Sequence, residues 1–247
     1  MEKETVISVR NLMARFDQKV ILEGIDLDIY EREVTVIIGA SGSGKTTLLK
    51  NMLRLHRPAA GSVRFWNRET TRMSEDEFDR ILVNIGMLFQ NGALINSIPV
   101  AENIAIPLEQ HTDLAPDIIQ KMIDVKLQLV NLQQAKHLLP SELSGGMKKR
   151  AALARAIALD PKILFCDEPS AGLDPLTSAA LDDLILKLRE QLHMTIVIVT
   201  HELASIHRVA DRVIFLGEGR VLFSGSLAEA QNCPIPTVHT FFEIGRF

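Results

Sequence analysis

The chain has 247 residues, which is enough for one large α/β domain or for a domain with a substantial inserted lobe. Hydrophobic residues make up 47% and charged residues 23% of the chain, a globular composition that argues against disorder. The formal net charge is -4, whereas proteins that bind nucleic acid usually have an excess of basic residues. Nucleic acid is therefore not expected as a partner.

The cysteine content and the apolar runs limit the cellular setting. Cys166 and Cys233 form no CxxC motif, and no histidine cluster has metal-binding spacing, which is typical of a reducing compartment. Residues 1–10 carry charges but no apolar segment, so no secretory signal is expected. No run of about 18 apolar residues occurs. Any link to a membrane is therefore expected to pass through another subunit.

The predicted elements begin with strands. Residues 5–9 and 24–30 alternate between apolar and polar positions, as half-exposed strands do. Val34–Ile38 is almost wholly apolar and β-branched, which predicts a strand buried on both faces. A Gly/Ser-rich segment follows it, and a helix is predicted from Thr46 to about Leu55.

The middle of the chain, from about Ser74 to Asp160, has a mainly helical pattern. A strand is predicted at Ile85–Phe89, a helix begins at Ser144, and further helices are predicted at Ser74–Val83, Val100–Gln110 and Ala115–Val130. Further strands are predicted at Ile163–Cys166, Thr195–Val199, 213–216 and 220–223, and a helix is predicted at Thr177–Leu192, between the first two of these strands. This alternation predicts an α/β fold with a mainly parallel, wound sheet. The expected organisation is a single domain over 1–247 with a helical subdomain at about 88–160.

The segment GASGSGKT at 39–46 fits the phosphate-binding pattern GxxxxGK[ST], between a predicted strand and a predicted helix. Glycines let backbone N–H groups surround phosphates, and the helix N-terminus adds its dipole. Lys45 is expected to reach the β- and γ-phosphates, and the Thr46 hydroxyl is expected to hold Mg²⁺. The predicted nucleotide-binding residues of this segment are Gly39, Ser41, Gly42, Ser43, Gly44, Lys45, Thr46 and Thr47.

Two further segments carry chemistry. The apolar strand ILFC ends in Asp167 and Glu168, where a carboxylate can stand beside a metal in a nucleotide crevice. We interpret Asp167 as the acid on the magnesium side and Glu168 as the base or orienter of the attacking water. Ser144 occupies an N-cap position before Gly145 and Gly146, and a basic amphipathic helix follows. A helix N-terminus with a hydroxyl can bind a γ-phosphate.

The string LSGGM at 143–147, after the phosphate loop and before ILFCDE, resembles the signature of the ABC ATPase family. The resemblance covers nearly the whole chain. It implies a P-loop NTPase fold with an N-terminal antiparallel β subdomain and an inserted helical subdomain. It also implies that Ser144, Gly145 and Gly146 close over the ATP held by a second copy of the chain.

The resemblance assigns roles to four more residues. Gln90 resembles the Q-loop glutamine that links the metal and the water to the permease contact. Asp174, in SAGLD at 170–174, resembles the D-loop residue, and His201 resembles the switch histidine that contacts the γ-phosphate. Phe16 resembles the aromatic residue that stacks on adenine, although the family usually has Tyr there. A Phe early in a chain is also a common core residue.

One departure from the family pattern is informative. Met147 replaces the usual Gln, and Lys148, Lys149 and Arg150 follow it. Together with MLFQNGAL at 87–94 and NIAIPL at 103–108, this resembles the Mla/Mce branch, whose ATPases power phospholipid (or steroid) traffic between bacterial membranes. The apolar residues after Gln90 could equally belong to the core of the helical lobe.

The leading hypothesis is an ATPase that couples ATP and Mg²⁺ to transport. The expected partners are a second copy of the chain, transmembrane permease subunits and an MCE-domain lipid-binding protein. The expected location is the cytoplasmic face of the bacterial inner membrane, reached only through the permease. Alternatives are an importer or exporter ATPase for amino acids or lipoproteins, a non-transport ABC ATPase acting on nucleic acid or ribosomes, and a regulator without hydrolysis.

Overall fold

The structure, a computed structural model, describes residues 3–17 and 19–244. These residues fall in two compact units: a discontinuous unit, which runs up to Ile81 and resumes at Thr195, and a central unit, Leu82–Met194. The domain predicted over 1–247 also includes residues 1, 2, 18 and 245–247, which lie outside the described residues. Among the helices that the structure describes, none is both long and apolar enough to cross a membrane.

The secondary-structure elements follow one another along three stretches of the chain. The first stretch contains β1 (Thr5–Phe16), β2 (Lys19–Tyr30), β3 (Val34–Ile38), α1 (Lys45–Met52), β4 (Ala60–Phe65), β5 (Arg68–Glu69) and α2 (Glu75–Leu82). The second contains β6 (Ile85–Leu88), α3 (Val100–His111), α4 (Pro116–Leu129), α5 (Gly145–Ala156), β7 (Ile163–Asp167) and α6 (Pro175–Leu192). The third contains β8 (Thr195–Val199), α7 (Leu203–Val209), β9 (Arg212–Gly217), β10 (Arg220–Ser226), α8 (Leu227–Gln231) and α9 (Pro236–Ile244).

The discontinuous unit contains an antiparallel sheet with the strand order β2-β1-β4-β5. β1 pairs with β2 on one edge and with β4 on the other. Both β1 and β2 are longer than the sequence predicts, because their pairing continues through several register shifts. Each shift interrupts the alternation of apolar and polar residues, so the sequence pattern reveals only part of each strand. The strands β4 and β5 carry no clear pattern and are not predicted.

The same unit contains the parallel strands. β3 pairs in parallel with β8 on one edge and with β9 on the other, and β10 extends the order as an antiparallel neighbour of β9. Every side chain of β3 and of β8 is buried, as their continuous apolar sequences predict. Since parallel strands all end at one edge of a sheet, the loops that follow β3 and β8 leave from the same edge.

The C-terminal helix α9 packs within its own unit. Val238 is fully buried and Phe242 is 1% exposed. The ring of Phe242 meets that of His207 with centroids 6.0 Å apart, and the ring of Phe241 meets that of Phe215 at 5.5 Å. The sequence leaves open whether this helix packs on its own domain or on a second copy. These contacts give its side chains partners within the discontinuous unit.

The central unit combines the helices α3, α4, α5 and α6 with a parallel pair of strands. β6 and β7 are in register from Ile85 opposite Ile163 to Leu88 opposite Cys166. Buried side chains from α3, α4, α5 and α6 contribute to its apolar core. The helices lie close to the predicted ranges, since each has a strong 3.6-residue pattern or a clear cap. β6 and β7 end at one edge, and polar residues follow both of them.

Asn103 ties the segment after β6 to the start of α3. The side chain is fully buried, and its Oδ1 accepts a hydrogen bond from the main-chain N–H of Ile95 at 2.7 Å. Its Nδ2 lies 3.1 Å from the carbonyl oxygen of Ile95, 3.2 Å from that of Ile98 and 3.1 Å from that of Pro99. One amide therefore contacts four main-chain groups between β6 and α3.

The variant Asn103→Asp tests this anchor. The carboxylate keeps the shape of the side chain but cannot donate, so the carbonyl oxygens of Ile95, Ile98 and Pro99 lose their hydrogen bonds from Asn103 Nδ2 and face a negative charge. We expect the free energy of unfolding to fall by about 3 kcal/mol. Thermal unfolding and amide hydrogen exchange of the first turn of α3 measure the effect.

Asn96→Asp is the matched control, because Asn96 is an exposed residue of the same loop. It adds the same charge without removing a buried donor, and a change within about 0.5 kcal/mol is expected. Equal effects of the two substitutions on exchange and unfolding would contradict the assignment of Asn103 as the anchor.

Candidate functional site

The residues predicted to carry chemistry lie in both units, and the phosphate loop belongs to the discontinuous unit. The loop Gly39–Gly44 leaves the carboxyl end of β3 and leads into α1 at Lys45. Thr46 and Thr47 therefore lie in the first turn of a helix, where backbone N–H groups generally lack intrahelical partners. The positive end of the helix dipole is at the same place. The loop and the helix together favour a bound anion.

Two side chains of the loop are buried. Lys45 Nζ donates hydrogen bonds to the carbonyl oxygens of Gly39 at 2.8 Å and Ala40 at 3.0 Å. Ser43 is 6% exposed, and its Oγ has no hydrogen-bond partner among the residues that the structure describes. A buried hydroxyl without a partner is unfavourable unless a ligand or water satisfies it. A fixed ammonium and an available hydroxyl fit a phosphate group.

The loop requires glycine at two positions for different reasons. Gly39 has a φ of 147°, and a Cβ there would lie 2.0 Å from the carbonyl oxygen of Leu216 in β9. Gly42 has a φ of 78°, and a Cβ there would meet no heavy atom within 4 Å. Gly39 therefore lets the loop lie against β9. Gly42 leaves open space at which a phosphate oxygen can approach the main chain.

His201 is at the same edge of the sheet as the phosphate loop. Ile37 of β3 pairs with Val199 of β8, and the main-chain N–H of Thr200 donates to the carbonyl oxygen of Ile37 at 3.3 Å. His201 follows directly and is exposed. The parallel pairing of β3 and β8 thus brings an exposed imidazole and the phosphate loop to one edge of one sheet.

Phe16, predicted to stack on adenine, is the last residue of β1 and is 45% exposed. Its ring meets the ring of His56 edge to face, with centroids 5.2 Å apart. This exposure argues against the alternative in which Phe16 is a core residue. An exposed aromatic ring supported by a second ring can stack on a planar base. No sequence pattern marks His56, which lies beyond the end of α1.

In the central unit, Gln90, Asp167 and Glu168 follow two neighbouring strands. Gln90 is exposed and lies two residues beyond β6. Asp167 is the last residue of β7 and is 9% exposed, and the half-buried Glu168 comes next. Because β6 and β7 are parallel, the structure brings these three side chains to one edge of the central unit.

The main chain at Gln90 and Glu168 is held by a residue that the sequence analysis missed. Glu168 has a φ of 45°, in the left-handed region that residues with side chains rarely adopt. Lys149 Nζ donates to the carbonyl oxygen of Glu168 at 3.2 Å and to that of Gln90 at 2.5 Å. Lys149 is only 6% exposed. A lysine in a basic amphipathic helix predicts a solvated side chain, so no sequence signal reveals this contact.

Arg155, also on α5, holds the next part of the same loop. Its guanidinium donates to the carbonyl oxygen of Ala93 at 2.7 Å and to that of Gly92 at 2.8 Å. Burial lowers the pKa of Arg155, but a guanidinium stays charged inside proteins. Two cations of one helix therefore bind the main chain of the segment that contains Gln90.

Ser144 is the N-cap of α5, as the sequence predicts. Its Oγ accepts a hydrogen bond from the main-chain N–H of Met147 at 3.3 Å. Ser144 and Gly145 are exposed, whereas Gly146 and Met147 are half-buried. The hydroxyl and the first turn of α5 are thus accessible to another molecule.

Asp174 is the N-cap of α6. Its Oδ1 accepts hydrogen bonds from the main-chain N–H groups of Leu176 at 3.1 Å and Thr177 at 3.0 Å. Hydrogen bonds from the side chain and main chain of Thr177 hold the pKa of Asp174 below its ordinary value. These contacts make Asp174 a helix cap, and its role in nucleotide binding stays a prediction.

The residues predicted to hold Mg²⁺ are Thr46, Gln90 and Asp167. They offer a hydroxyl, an amide and a carboxylate oxygen, and Mg²⁺ takes oxygen ligands, usually one or two carboxylates together with substrate phosphates. This donor chemistry fits the ion.

The chain matches the ABC transporter family over residues 22–171, more than half of its length. It is 38% identical over 223 residues to the intermembrane phospholipid transport system ATP-binding protein MlaF of Haemophilus influenzae, covering 90% of this chain and 84% of the relative. It is 38% identical over 241 residues to the probable ribonucleotide transport ATP-binding protein mkl of Mycobacterium leprae, covering 98% and 70%. It is 36% identical over 228 residues to the methionine import ATP-binding protein MetN of Histophilus somni, covering 92% and 64%.

Among solved structures, the chain is similar to a dimeric ATP-binding cassette in a post-hydrolysis state bound to ADP and Pi. The TM-score is 0.81 and the identity is 31%, over 90% of this chain and 98% of that one. This similarity confirms the predicted fold class, a P-loop NTPase of mixed α/β structure with an antiparallel sheet and a parallel core.

The variant Gly39→Ala tests how the phosphate loop is seated. Its Cβ would lie 2.0 Å from a main-chain oxygen of β9, which a flexible side chain cannot relieve. We expect the free energy of unfolding to fall by roughly 3 kcal/mol, the sum of left-handed strain and overpacking. Denaturant unfolding followed by circular dichroism measures it.

Gly42→Ala is the control for backbone strain alone, because its Cβ meets open space. We expect a loss of about 1 kcal/mol there. A loss at Gly39 no larger than the loss at Gly42 would show that close contact with β9 does not determine the loop.

Proposed function

This chain belongs to the ABC transporter family of ATP-binding proteins, and from that premise we propose that it powers the movement of phospholipids between bacterial membranes. The chain is the ATPase subunit of an ABC transporter, since the family match covers more than half of it and a similar solved cassette binds ADP and Pi. That solved cassette is a dimer, and the proposed partners of this chain are a second copy and a transmembrane permease.

The observation that carries the phospholipid proposal is the similarity to MlaF of Haemophilus influenzae, a protein named for intermembrane phospholipid transport. The similarity extends over 90% of this chain and 84% of that protein. The signature variant, in which Met147 precedes Lys148, Lys149 and Arg150, supports the same branch. The proposed accessory partner is an MCE-domain lipid-binding protein.

A second candidate cargo is an amino acid. The methionine import protein MetN of Histophilus somni is 36% identical over 92% of this chain, so the same ATPase architecture serves that import system. In both cases the cargo contacts subunits other than this one. The proposed location is the cytoplasmic face of the inner membrane, where the permease holds the pair of ATPase subunits.

In the proposed mechanism, the phosphate loop binds and orients ATP. The ammonium of Lys45 is close to the loop carbonyls and can neutralise charge on the β- and γ-phosphates. The buried hydroxyl of Ser43 can donate to a phosphate oxygen. Phe16 stacks on the adenine, and His201 donates to the γ-phosphate, where charge develops during phosphoryl transfer.

The acids and the amide of the central unit act on the water and the metal. Asp167, Gln90 and Thr46 are the residues that would offer oxygen ligands to Mg²⁺, and the ion would supply positive charge to the phosphate oxygens when bound. Glu168 orients the attacking water and accepts its proton. The left-handed backbone conformation of Glu168 sets the direction in which its side chain extends from the end of β7.

Each ATP-binding site is completed by a second copy of the chain. The exposed N-cap of α5, with Ser144, Gly145 and Gly146, contacts the γ-phosphate of the ATP held by the partner. ATP therefore binds the closed pair more tightly than the open one, and this difference in affinity does work on the permease. Hydrolysis removes the shared phosphate and the pair reopens.

Glu168→Gln tests the hydrolytic role. The amide retains the shape of the side chain but cannot accept a proton, so we expect ATP turnover to fall about 100-fold or more while ATP binding persists. ATP-bound dimers should therefore accumulate, and size-exclusion chromatography with MgATP detects them.

Glu190→Gln is the matched control, because Glu190 is an exposed residue near the end of α6. We expect it to keep wild-type turnover and to show no trapped dimer. A Glu168→Gln protein that hydrolyses ATP normally, or that never dimerises with ATP, would refute the proposed mechanism.

The cargo is tested by isolating the complex from native membranes in mild detergent and identifying the associated proteins and lipids by mass spectrometry. We expect a polytopic permease, an MCE-domain protein and bound phospholipid. A permease that comes with an amino-acid binding protein and no enriched lipid would overturn the phospholipid cargo and leave the ATPase assignment intact.

A further inference from the structure

Lys149 joins the two segments that carry the proposed hydrolytic residues. It lies in the second turn of α5 and is almost completely buried. Its Nζ donates to the carbonyl oxygens of Gln90, which follows β6, and Glu168, which follows β7. One ammonium therefore connects two strand ends and a helix. An ammonium has three donors, so it is suited to bridging several acceptors.

The segments that Lys149 binds have backbone conformations that need support. Glu168 has a φ of 45°, and the loop after Gln90 contains Gly92 at 72° and Ala93 at 50°. Left-handed residues with side chains persist only where the surroundings hold them. Arg155 binds the carbonyl oxygens of Gly92 and Ala93, whereas Lys149 alone binds both Gln90 and Glu168 among the hydrogen bonds described for this helix.

The charge of Lys149 belongs to a local group of opposite charges. Burial raises the pKa of the Cys166 thiol, Lys149 opposes that shift, and Asp167 and Asp182 add to it. All three charges therefore act on one thiol, and Asp182 is fully buried. A buried cation is stable when acids and hydrogen-bond acceptors surround it. Lys149 has two main-chain acceptors and is 6% exposed, which distinguishes it from a lysine of a solvated helix face.

We propose that Lys149 is a positioning residue for ATP hydrolysis, which fixes the main chain at Gln90 and Glu168 relative to each other and to α5. The proposal rests on the proposed function, in which Gln90 holds the metal and Glu168 acts on water. Ser144 caps the same helix one turn before Lys149. The N-cap proposed to contact the partner's ATP and the lysine that binds the two carbonyl oxygens are therefore on one helix.

Two substitutions separate this role from a general loss of structure. Lys149→Met retains most of the side-chain volume and removes the charge and the donors, whereas Lys149→Arg retains both. We expect Lys149→Met to lower kcat about tenfold to a hundredfold, because small displacements of catalytic groups have effects of this size. The KM for ATP should change less than about threefold, since the phosphate loop is untouched. Lys149→Arg should restore most of the lost kcat.

Steady-state kinetics with MgATP measure these values, and Lys121→Met is the matched control. Lys121 is an exposed residue of α4, so removing its charge should leave both kinetic parameters unchanged. Lys149→Met is also combined with Glu168→Gln. We expect the ATP-dependent dimer of that double variant to form, because the proposed role concerns hydrolysis rather than binding.

Several results would overturn the inference. An unchanged kcat in Lys149→Met would do so, as would a raised KM at unchanged kcat. Loss of the dimer in the double variant, or no recovery in Lys149→Arg, would assign Lys149 a structural role. These results differ from failure of the proposed function, which would appear as normal turnover in Glu168→Gln whatever residue occupies position 149.

Discussion

The confinement of β3 determines where the chemistry of the discontinuous unit can occur. Its five residues are buried on both faces and hydrogen-bonded on both edges. Polar groups that follow the strand can therefore reach a ligand only beyond its carboxyl end. The loop at that end is Gly39–Gly44, and α1 begins directly after it. The parallel neighbour β8 brings His201 to the same edge. Burial of apolar residues therefore positions the polar groups that are proposed to bind phosphate.

In both units, lysine or arginine side chains donate hydrogen bonds to main-chain carbonyl oxygens. Lys45 binds carbonyls of the phosphate loop, Lys149 binds those at Gln90 and Glu168, and Arg155 binds the loop after Gln90. Each cation is on a helix, and each acceptor is in a segment that follows a strand of a parallel pair. Because the acceptors are main-chain oxygens, these loops are held without using their side chains, which remain available for ligands.

The sequence predicts the elements whose pattern is local. The buried strand Val34–Ile38 and the helix capped by Ser144 are found where they are predicted. β5 and α8 are too short to show a period, and register shifts hide part of β1. The motif residues stand at strand ends and helix caps, as their patterns indicate. Lys149 could not be predicted, because its burial depends on carbonyls that residues far along the chain supply.

The division of one unit into two segments of the chain has a consequence for biosynthesis. β1 and β2 adjoin in sequence and can pair at once, whereas β3 gains its parallel neighbours only from β8 and β9. At about 5–20 residues per second, β8 is translated roughly 8–30 s after β3. During that time an apolar strand has two open edges, a template for aggregation. The nascent chain therefore carries an apolar strand without its native neighbours until translation reaches β9.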